Sequence, residues 1–268
     1  MTHQGRVRPN NEDAFLTFIF DGREVSYLGK TGENHLEVFD YIFAVSDGMG
    51  GERSGEFASQ IAIDRITKIM PSSYRLRAMG LSTGFVDVLN ELLNKIHSDL
   101  ISLGRSYEEC AGMGATLSLC WVTPECTYYA HIGDSRIYYL PTEGGITQLT
   151  QDDSHVGWLF KQGRISEREA RSHPRRNALQ QALGARNQFV EPQFGSVRHQ
   201  PGDRFLICSD GLVEGLWNRH LDEILRDPSH DHTPQGVAPA LIHASLENSG
   251  TDNLTALVFE FLPAGKSV

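Results

Sequence analysis

The stretches FAVSDGMGG, residues 43–51, and FLICSDGL, residues 205–212, each lead an apolar, strand-like segment into the same Ser-Asp-Gly triplet. A single Asp-Gly turn is an ordinary way to end a strand. Two copies, each with a carboxylate at the end of a buried strand, call for a further reason. Apolar residues at helical spacing over residues 54–70, closed by Pro71, predict that the first triplet lies between a strand and a helix.

The remaining pattern combines helices with closely spaced strands. A second amphipathic helix is predicted from Phe85 to Gly104. Segments rich in β-branched and aromatic residues over 115–140 read as successive strands, joined by a Pro-containing turn and then by GDSR, residues 133–136. Strands this close in sequence must pair antiparallel, so a purely doubly wound parallel sheet is excluded.

An irregular segment, about residues 151–185, interrupts the strand pattern and is called the flap below. Ser166 and Glu169 form a capping box that predicts a short helix inside it. The flap region is basic in an otherwise acidic chain, which leaves two interpretations: a surface that steers phosphorylated segments, or helical charges paired with local glutamates. After the flap, a helix is expected to begin at Thr233, and NLTALVFEF, residues 253–261, supplies a last strand.

Composition limits the class of protein. The chain of 268 residues has a net charge of -10, which argues against a nucleic acid or an anionic membrane as the main partner. No window reaches the roughly 18 apolar residues of a membrane span, and the start has no signal-peptide core, so a cytoplasmic protein is expected. The four cysteines lack paired CxxC spacing and are expected to be reduced. We expect one domain spanning residues 1–268, acting as a monomer.

Acidic residues recur beside strand ends and tight glycine turns. They are Glu12, Asp13, Asp47, Asp134, Asp210 and Asp252. Carboxylates gathered at one edge of a dry core repel each other unless cations neutralise them. Mg²⁺ or Mn²⁺ accepts a few carboxylates plus a backbone carbonyl, which Gly48 could offer, and two such ions could activate a water for attack at phosphorus. Arg8 could supply a bidentate fork for the phosphate.

Seven short segments of the chain, quoted below, occur in the order that is typical of one protein family. The chain resembles the metal-dependent, type 2C (PPM) protein serine/threonine phosphatases, closest to the bacterial branch. The resemblance runs from Gly5 to about Val258 and rests on GRVRPNNEDAF, FAVSDGMGG, GMGATLSL, AHIGDSRIYYL, LTQDDSHVGWLFKQGRIS, FLICSDGL and GTDNLTALV. It implies an α+β fold, a four-layer αββα sandwich of two antiparallel β-sheets flanked by helices.

The resemblance also implies the roles of the site residues. Asp47 matches the carboxylate that bridges two Mn²⁺ or Mg²⁺ ions, with the Gly48 carbonyl and Glu12 serving the second ion. Asp210 and Asp252 match ligands of the first ion.

Three further residues complete the implied site. Asp134, with Asp210, matches a weaker third-metal site, and Arg8 matches the phosphate-binding arginine. Asp13 is placed behind the ligands, and Asn253 is expected only to support its turn. The implied function is hydrolysis of phosphoserine and phosphothreonine in proteins, opposing a serine/threonine kinase, by direct attack of a metal-bridging water.

The sequence departs from the family pattern in two places. Met49 stands where many eukaryotic members carry a histidine proposed as general acid, which leaves His155 or His173 of the flap, or metal-bound water, as open alternatives. Only four residues precede Gly5, so the edge of one sheet is left open. The competing interpretation is a catalytically silent scaffold that binds phosphoproteins; the intact acidic set argues against it.

Overall fold

The structure is a computed structural model, and it describes residues 1–20, 25–29, 32–33, 36, 39–50, 54–78, 84–185, 189–227 and 236–263. Within these ranges the chain forms two antiparallel sheets. The larger sheet runs β10-β7-β6-β4-β2-β3, with β5 paired to the end of β4. Its strands are β2 (Asp13–Phe20), β3 (Val25–Tyr27), β4 (Asp40–Met49), β5 (Gly114–Ala115), β6 (Leu117–Val122), β7 (Thr127–Ile132) and β10 (Gln193–Val197).

The smaller sheet runs β1-β12-β11-β8-β9. Its strands are β1 (Thr2–His3), β8 (Arg136–Leu140), β9 (Thr147–Gln148), β11 (Arg204–Cys208) and β12 (Leu254–Glu260). The helices are α1 (Ser54–Ala78), α2 (Phe85–Ser106), α3 (His155–Lys161), α4 (Glu167–Ser172), α5 (Asp210–Gly215), α6 (Asn218–Arg226) and α7 (Val237–Asn248), with a 3₁₀ turn at Glu108–Cys110.

The side chains of β4 alternate between two apolar cores, one on each face of the larger sheet. Successive side chains of a strand point to opposite faces. Ile42 and Ala44 therefore join the core beneath α1 and α2, whereas Phe43 and Val45 join the core between the two sheets. A third apolar core packs the smaller sheet against α5, α6 and α7. Three cores separate four layers, so the predicted αββα sandwich is confirmed.

The first Ser-Asp-Gly triplet is not a turn, contrary to the prediction. Asp47 and Gly48 continue β4, because β5 pairs with its end: Gly48 lies opposite Ala115. The second triplet does end its strand, and Asp210 begins α5 at once. The sequence pattern did not separate β5 from β6, because the pairing of β5 with the end of β4 depends on residues far apart in the chain.

The GDSR segment joins two sheets rather than two paired strands. β6 and β7 form an antiparallel hairpin as expected, but β7 belongs to the larger sheet and β8 to the smaller one. The prediction that β8 pairs with its predecessor is wrong. Asp134 lies in this crossing and so stands between the layers.

Helix boundaries also differ from the predictions. α1 continues through Pro71, because a proline inside a helix removes a hydrogen bond without always ending it. α2 continues past Gly104 to Ser106. The later helix begins at Val237, and its expected start at Thr233 lies outside the described residues. The capping box of Ser166 and Glu169 is confirmed.

The edge of the smaller sheet, left open by the sequence, is formed by Thr2 and His3, which pair with Thr255 and Leu254. All four cysteines are free, as expected. Among the helices that the structure describes, none combines the length and apolar character that a membrane crossing requires.

Candidate active site

Asp13 and Asp47 lie directly opposite each other in the larger sheet. They are register partners at the end where β2 and β4 meet. The backbone around Asp47 is fixed by Thr116, whose Oγ1 accepts from the Asp47 amide at 3.0 Å and whose own amide donates to the Asp47 carbonyl at 2.8 Å. The Gly48 amide donates to the Glu12 carbonyl at 3.1 Å. These bonds hold Glu12, Asp47 and Gly48 at one edge.

Asp13 points away from this edge into the space between the sheets. Its Oδ2 accepts from Ser209 Oγ at 2.7 Å and from Thr255 Oγ1 at 2.6 Å. Ser209 directly precedes Asp210, so the Asp13 carboxylate ties the larger sheet to the residue that begins α5. This arrangement agrees with a supporting role behind the ligands.

Asp252 and Arg8 meet at the other side of the same edge. Arg8 Nη2 donates to Asp252 Oδ2 at 2.6 Å. Asn253 does more than support its turn: Oδ1 accepts from the Glu12 amide at 2.8 Å, and Nδ2 donates to the carbonyls of Gln4 and Asn10, each at 2.8 Å. Asn253 therefore fixes the segment that carries Arg8 and Glu12.

The loop that carries Asp134 is held by the entry of the flap. The Gly133 amide donates to Asp153 Oδ2 at 2.9 Å, and the Asp153 amide donates to the Gly133 carbonyl at 2.7 Å. Beneath the loop, Ser118 Oγ lies 2.9 Å from both His131 Nδ1 and Ser135 Oγ. Asp134 is buried, and the residues on either side of it are held by the flap entry and by the larger sheet.

A cavity of about 310 Å³ collects the predicted site residues. Its lining includes Arg8, Glu12, Asp47, Gly48, Asp134, Asp210 and Asp252. Asp13 does not line it. The structure therefore brings together every predicted ligand and the predicted phosphate-binding arginine, although they come from five separate parts of the chain.

Burial and the mutual repulsion of the carboxylates make negative charge unfavourable in this cavity. Burial first, and then the charges of Asp13 and Asp210, raise the pKa of Asp47 well above its ordinary value. Burial and the charge of Asp134 do the same to the pKa of Asp210. Burial raises the pKa of Asp13 to about 6 and, with the charge of Asp152, that of Asp134 to about 7.

The donor set fits hard divalent cations. Asp210 Oδ1 is buried without a hydrogen-bond partner, so oxygen lone pairs of a cavity-lining carboxylate are left for other ligands. Carboxylate and carbonyl oxygens are what Mg²⁺ and Mn²⁺ prefer. No group of three His, Cys, Asp or Glu side chains in the described ranges already encloses a metal-sized space. Asp252 is directed to Arg8 instead, so ligand side chains would reorient around an ion.

Sequence reasoning missed several residues of the cavity wall. Thr116, Asn177 and Leu179 line it as well. Asn177 and Leu179 belong to the flap, where no periodicity marks a side chain for the site. Thr116 lies between β5 and β6 inside the predicted strand segment 115–140, where nothing in the pattern marks its side chain for the site.

The general acid stays unassigned. Met49 lines the cavity and carries no proton to donate. The two flap histidines are not among its lining residues: the His155 ring packs 5.9 Å from the Trp158 ring, and His173 Nδ1 accepts from the Arg175 amide at 3.1 Å.

Part of the basic flap charge is paired. Arg171 forms an ion pair with Glu167, four residues earlier, and Arg176 lies 3.4 Å from Glu214 of α5. Arg168 and Arg175 are exposed, and Arg186, the next basic residue directly after the flap, lies outside the described residues. Local pairing therefore explains Arg171, and steering by the other flap cations stays a hypothesis.

Comparison with known proteins gives one consistent match. The sequence model described as "Protein phosphatase 2C" matches residues 32–245. The serine/threonine phosphatase Stp of Listeria innocua is 30% identical over 260 residues, which cover 97% of this chain and 93% of that protein.

Solved structures agree with the match to serine/threonine phosphatases. A serine/threonine phosphatase from Mycobacterium tuberculosis, PstP/Ppp, superimposes with a TM-score of 0.77 at 30% identity, covering 98% of this chain and 97% of the other. The catalytic domain of the phosphatase PstP in complex with two manganese ions gives a TM-score of 0.74 at 29% identity, covering 98% and 96%.

Proposed function

This chain belongs to the protein phosphatase 2C family, and we propose that the cavity at the shared edge of its two sheets is the active site. The protein is a metal-dependent serine/threonine phosphatase that acts on phosphoproteins. Its cofactors are Mn²⁺ or Mg²⁺, two ions as in the manganese complex of PstP. The observation that carries the assignment to this cavity is the convergence of Asp47, Asp134 and Asp210, whose pKa values are all raised, beside Arg8.

The proposed ligand set divides between two ions. Asp47 would hold both ions, the Gly48 carbonyl and Glu12 would hold one of them, and Asp210 and Asp252 would hold the other. Asp134, together with Asp210, offers a third, weaker site. Support comes from the cavity lining and from the raised pKa values, since a carboxylate that burial makes unfavourable as an anion is stabilised by a cation.

The reaction hydrolyses a phosphomonoester. Water oxygen bonds to phosphorus, the bond from phosphorus to the serine or threonine oxygen breaks, and a proton passes to that oxygen. When bound, the two ions lower the pKa of the attacking water and stabilise charge on the phosphoryl oxygens. Arg8 binds phosphoryl oxygens through two parallel N–H donors. Its side chain is 47% exposed, so it is free to turn from Asp252 to substrate.

The remaining assignments complete the proposal. We take residues 1–268 as one domain with the flap as a subdomain, whose Asn177 and Leu179 close one wall of the cavity. A serine/threonine kinase that phosphorylates the same proteins is the expected counterpart, and a monomer in the cytoplasm the expected state. Light scattering of the purified protein tests the monomer directly.

The decisive experiment is phosphate release from a phosphothreonine peptide, first in EDTA and then with Mn²⁺. Release that depends on Mn²⁺, is lost in Asp47→Asn and persists in the exposed-surface control Asp64→Asn supports the proposal. Wild-type protein that binds Mn²⁺ without turnover would instead favour the silent scaffold, which the named enzymatic relatives already make the weaker candidate.

A further inference from the structure

Arg171 of the flap binds α5, the helix that begins with the proposed metal ligand Asp210. From α4, its Nη1 donates to the Val213 carbonyl at 2.5 Å and its Nη2 to the Leu216 carbonyl at 2.8 Å. Its guanidinium also stacks on the Trp217 ring, 4.2 Å from the centroid. Glu167 accepts from Nε and Nη2 and fixes the orientation of the fork. The contact is more than a surface ion pair, because it ends on the backbone oxygens of Val213 in α5 and of Leu216, which directly follows α5.

Those oxygens lie at the opposite end of α5 from Asp210. The last carbonyls of a helix have no partner inside the helix, and a cation there is favoured by the helix dipole. α5 is only six residues long, with Asp210 first and Gly215 last. A displacement at its C-terminal end therefore moves the carboxylate at its N-terminal end.

The rest of α5 is packed too closely to absorb such a displacement. Ser245 of α7 donates to the carbonyls of Leu212 at 2.9 Å and Gly211 at 3.3 Å. A side chain at Gly211 would overlap the carbonyl of Asn253, beside Asp252. The core thus holds one side of α5, and Arg171 holds the side that faces the flap.

A second contact runs to the neighbouring ligand. Thr251 Oγ1 donates to Glu214 Oε2 at 2.8 Å, and Glu214 Oε1 lies 3.4 Å from Arg176 of the flap. Through Glu214, the flap thus reaches the residue that precedes Asp252. Both proposed ligands of the first ion are mechanically joined to the flap.

We propose that Arg171 is a positioning residue that couples docking of the flap to the affinity of Asp210 and Asp252 for a divalent cation. The proposal rests on the ligand assignment made above. Because coupling free energies are reciprocal, an ion bound at these carboxylates also strengthens docking of the flap. Arg171 touches neither ion nor substrate, and it acts through the backbone of α5.

The test measures Mn²⁺ binding and flap docking on the full chain, without substrate. Arg171→Ala is compared with wild type and with Arg168→Ala, which removes an exposed arginine of the same helix. Calorimetric titration with Mn²⁺ should show an affinity loss of about fivefold to a hundredfold in Arg171→Ala. Arg168→Ala should bind like wild type.

Proteolysis measures the reciprocal effect, in which a bound ion strengthens docking of the flap. Chymotrypsin cuts after aromatic residues, and Trp158 and Phe160 of the flap are 39% and 47% exposed. Mn²⁺ should slow cleavage at these two residues in wild type and in Arg168→Ala, and should have little effect in Arg171→Ala. With saturating Mn²⁺, the phosphatase kcat of Arg171→Ala should return to near the wild-type value.

Three outcomes would overturn the inference. Wild-type Mn²⁺ affinity in Arg171→Ala, with faster cleavage of the flap, would mean that Arg171 fastens the flap alone. Equal affinities in Asp210→Asn and wild type would remove the ligand assignment itself, and loss in Asp210→Asn but not in Arg171→Ala would remove only the coupling. If Arg171→Ala does not fold, Arg171→Lys, which keeps the charge but not the fork, should show a smaller loss in the same direction.

Discussion

Arg8 and Asp252, 244 positions apart in the chain, form a hydrogen-bonded ion pair of 2.6 Å at the mouth of the proposed active site. One is the proposed phosphate-binding group and the other a proposed metal ligand. The proposed cation and phosphate sites therefore share this edge, and the proposed phosphate-binding arginine contacts a proposed metal ligand directly. Removing Arg8 should separate the two kinds of binding.

Arg8→Ala should lower kcat/KM for a phosphothreonine peptide by on the order of 10²–10³-fold, because a preorganised donor to the phosphoryl oxygens is lost. Mn²⁺ affinity should stay equal or rise, since Asp252 loses a competing partner. Steady-state kinetics and calorimetry measure the two effects. Arg8→Lys should recover little activity, because an ammonium does not reproduce the bidentate fork; full recovery would contradict that geometry.

Asp47→Asn should abolish activity yet stabilise the metal-free protein. Burial and neighbouring carboxylates raise the pKa of Asp47 well above its ordinary value, so its charge opposes folding at neutral pH. A gain of about 1 kcal/mol in the free energy of unfolding would raise Tm by about 2–4 °C, the shift that is typical of domains of about 150–250 residues. Calorimetric melting at pH 8 in EDTA tests it, with the exposed Asp64→Asn as control. A lower Tm in Asp47→Asn would show that hydrogen bonding, not charge, dominates at this position.

Stability of the metal-free protein should fall as pH rises from about 6.5 to 8. Asp134 has a folded pKa of about 7 against an ordinary value of 3.8, and the pKa values of Asp47 and Asp210 are raised well above theirs. The folded state then binds more protons than the unfolded state, so each group lowers stability by up to about 1.4 kcal/mol per pH unit within its window.

Below about pH 6.5, a buried histidine opposes this effect. His131 is buried, and its pKa falls from 6.5 to about 4, so its contribution rises with pH until about 6.5 and is then constant. Urea unfolding in EDTA at pH 6.5, 7 and 8 measures the trend. Added Mn²⁺ should reverse it, and stability that rises with pH in EDTA would contradict the repulsion of the carboxylates.

Gly48→Ala should damage the metal edge. A β-carbon at Gly48 would overlap the carbonyl of Gly55 and lie 3.0 Å from the Glu12 carbonyl oxygen. Crowding of this kind costs about 1–3 kcal/mol or more, and here the backbone of a proposed ligand must shift. Gly145→Ala, where a β-carbon meets nothing within 4 Å, is the matched control. Equal Tm and Mn²⁺ affinity in the two variants would contradict the close approach.

Local sequence patterns predicted strands β4, β6, β7, β8, β11 and β12 and the gathering of the carboxylates. Strand alternation and strand-end acids are local signals, which is why Asp47, Asp210 and Asp252 could be placed at one edge. The end of β4 could not be predicted, because its pairing with β5 depends on residues about 65 positions later. The roles of individual ligands came from family resemblance and stay proposals.

Side-chain partners of the flap were also beyond the sequence. In the sequence, Arg171 is only one of several basic residues of the flap. In the structure it donates to the carbonyls of Val213 and Leu216, which lie 42 and 45 positions later in the chain. Such contacts have no periodicity and depend on how the flap docks. Arg176 and Glu214 illustrate the same limit: neither local spacing nor helix propensity predicts a pair 38 positions apart.

The crossing at Asp134 also has a consequence for the order of folding. Strands β7 and β8 are neighbours in sequence but belong to different sheets, so the carboxylates converge only after both sheets exist and have packed. Such non-local pairing is slow to form, and the site should be complete only late on the folding path. Mn²⁺ should accordingly slow unfolding far more than it accelerates refolding, which stopped-flow unfolding and refolding with and without Mn²⁺ would measure.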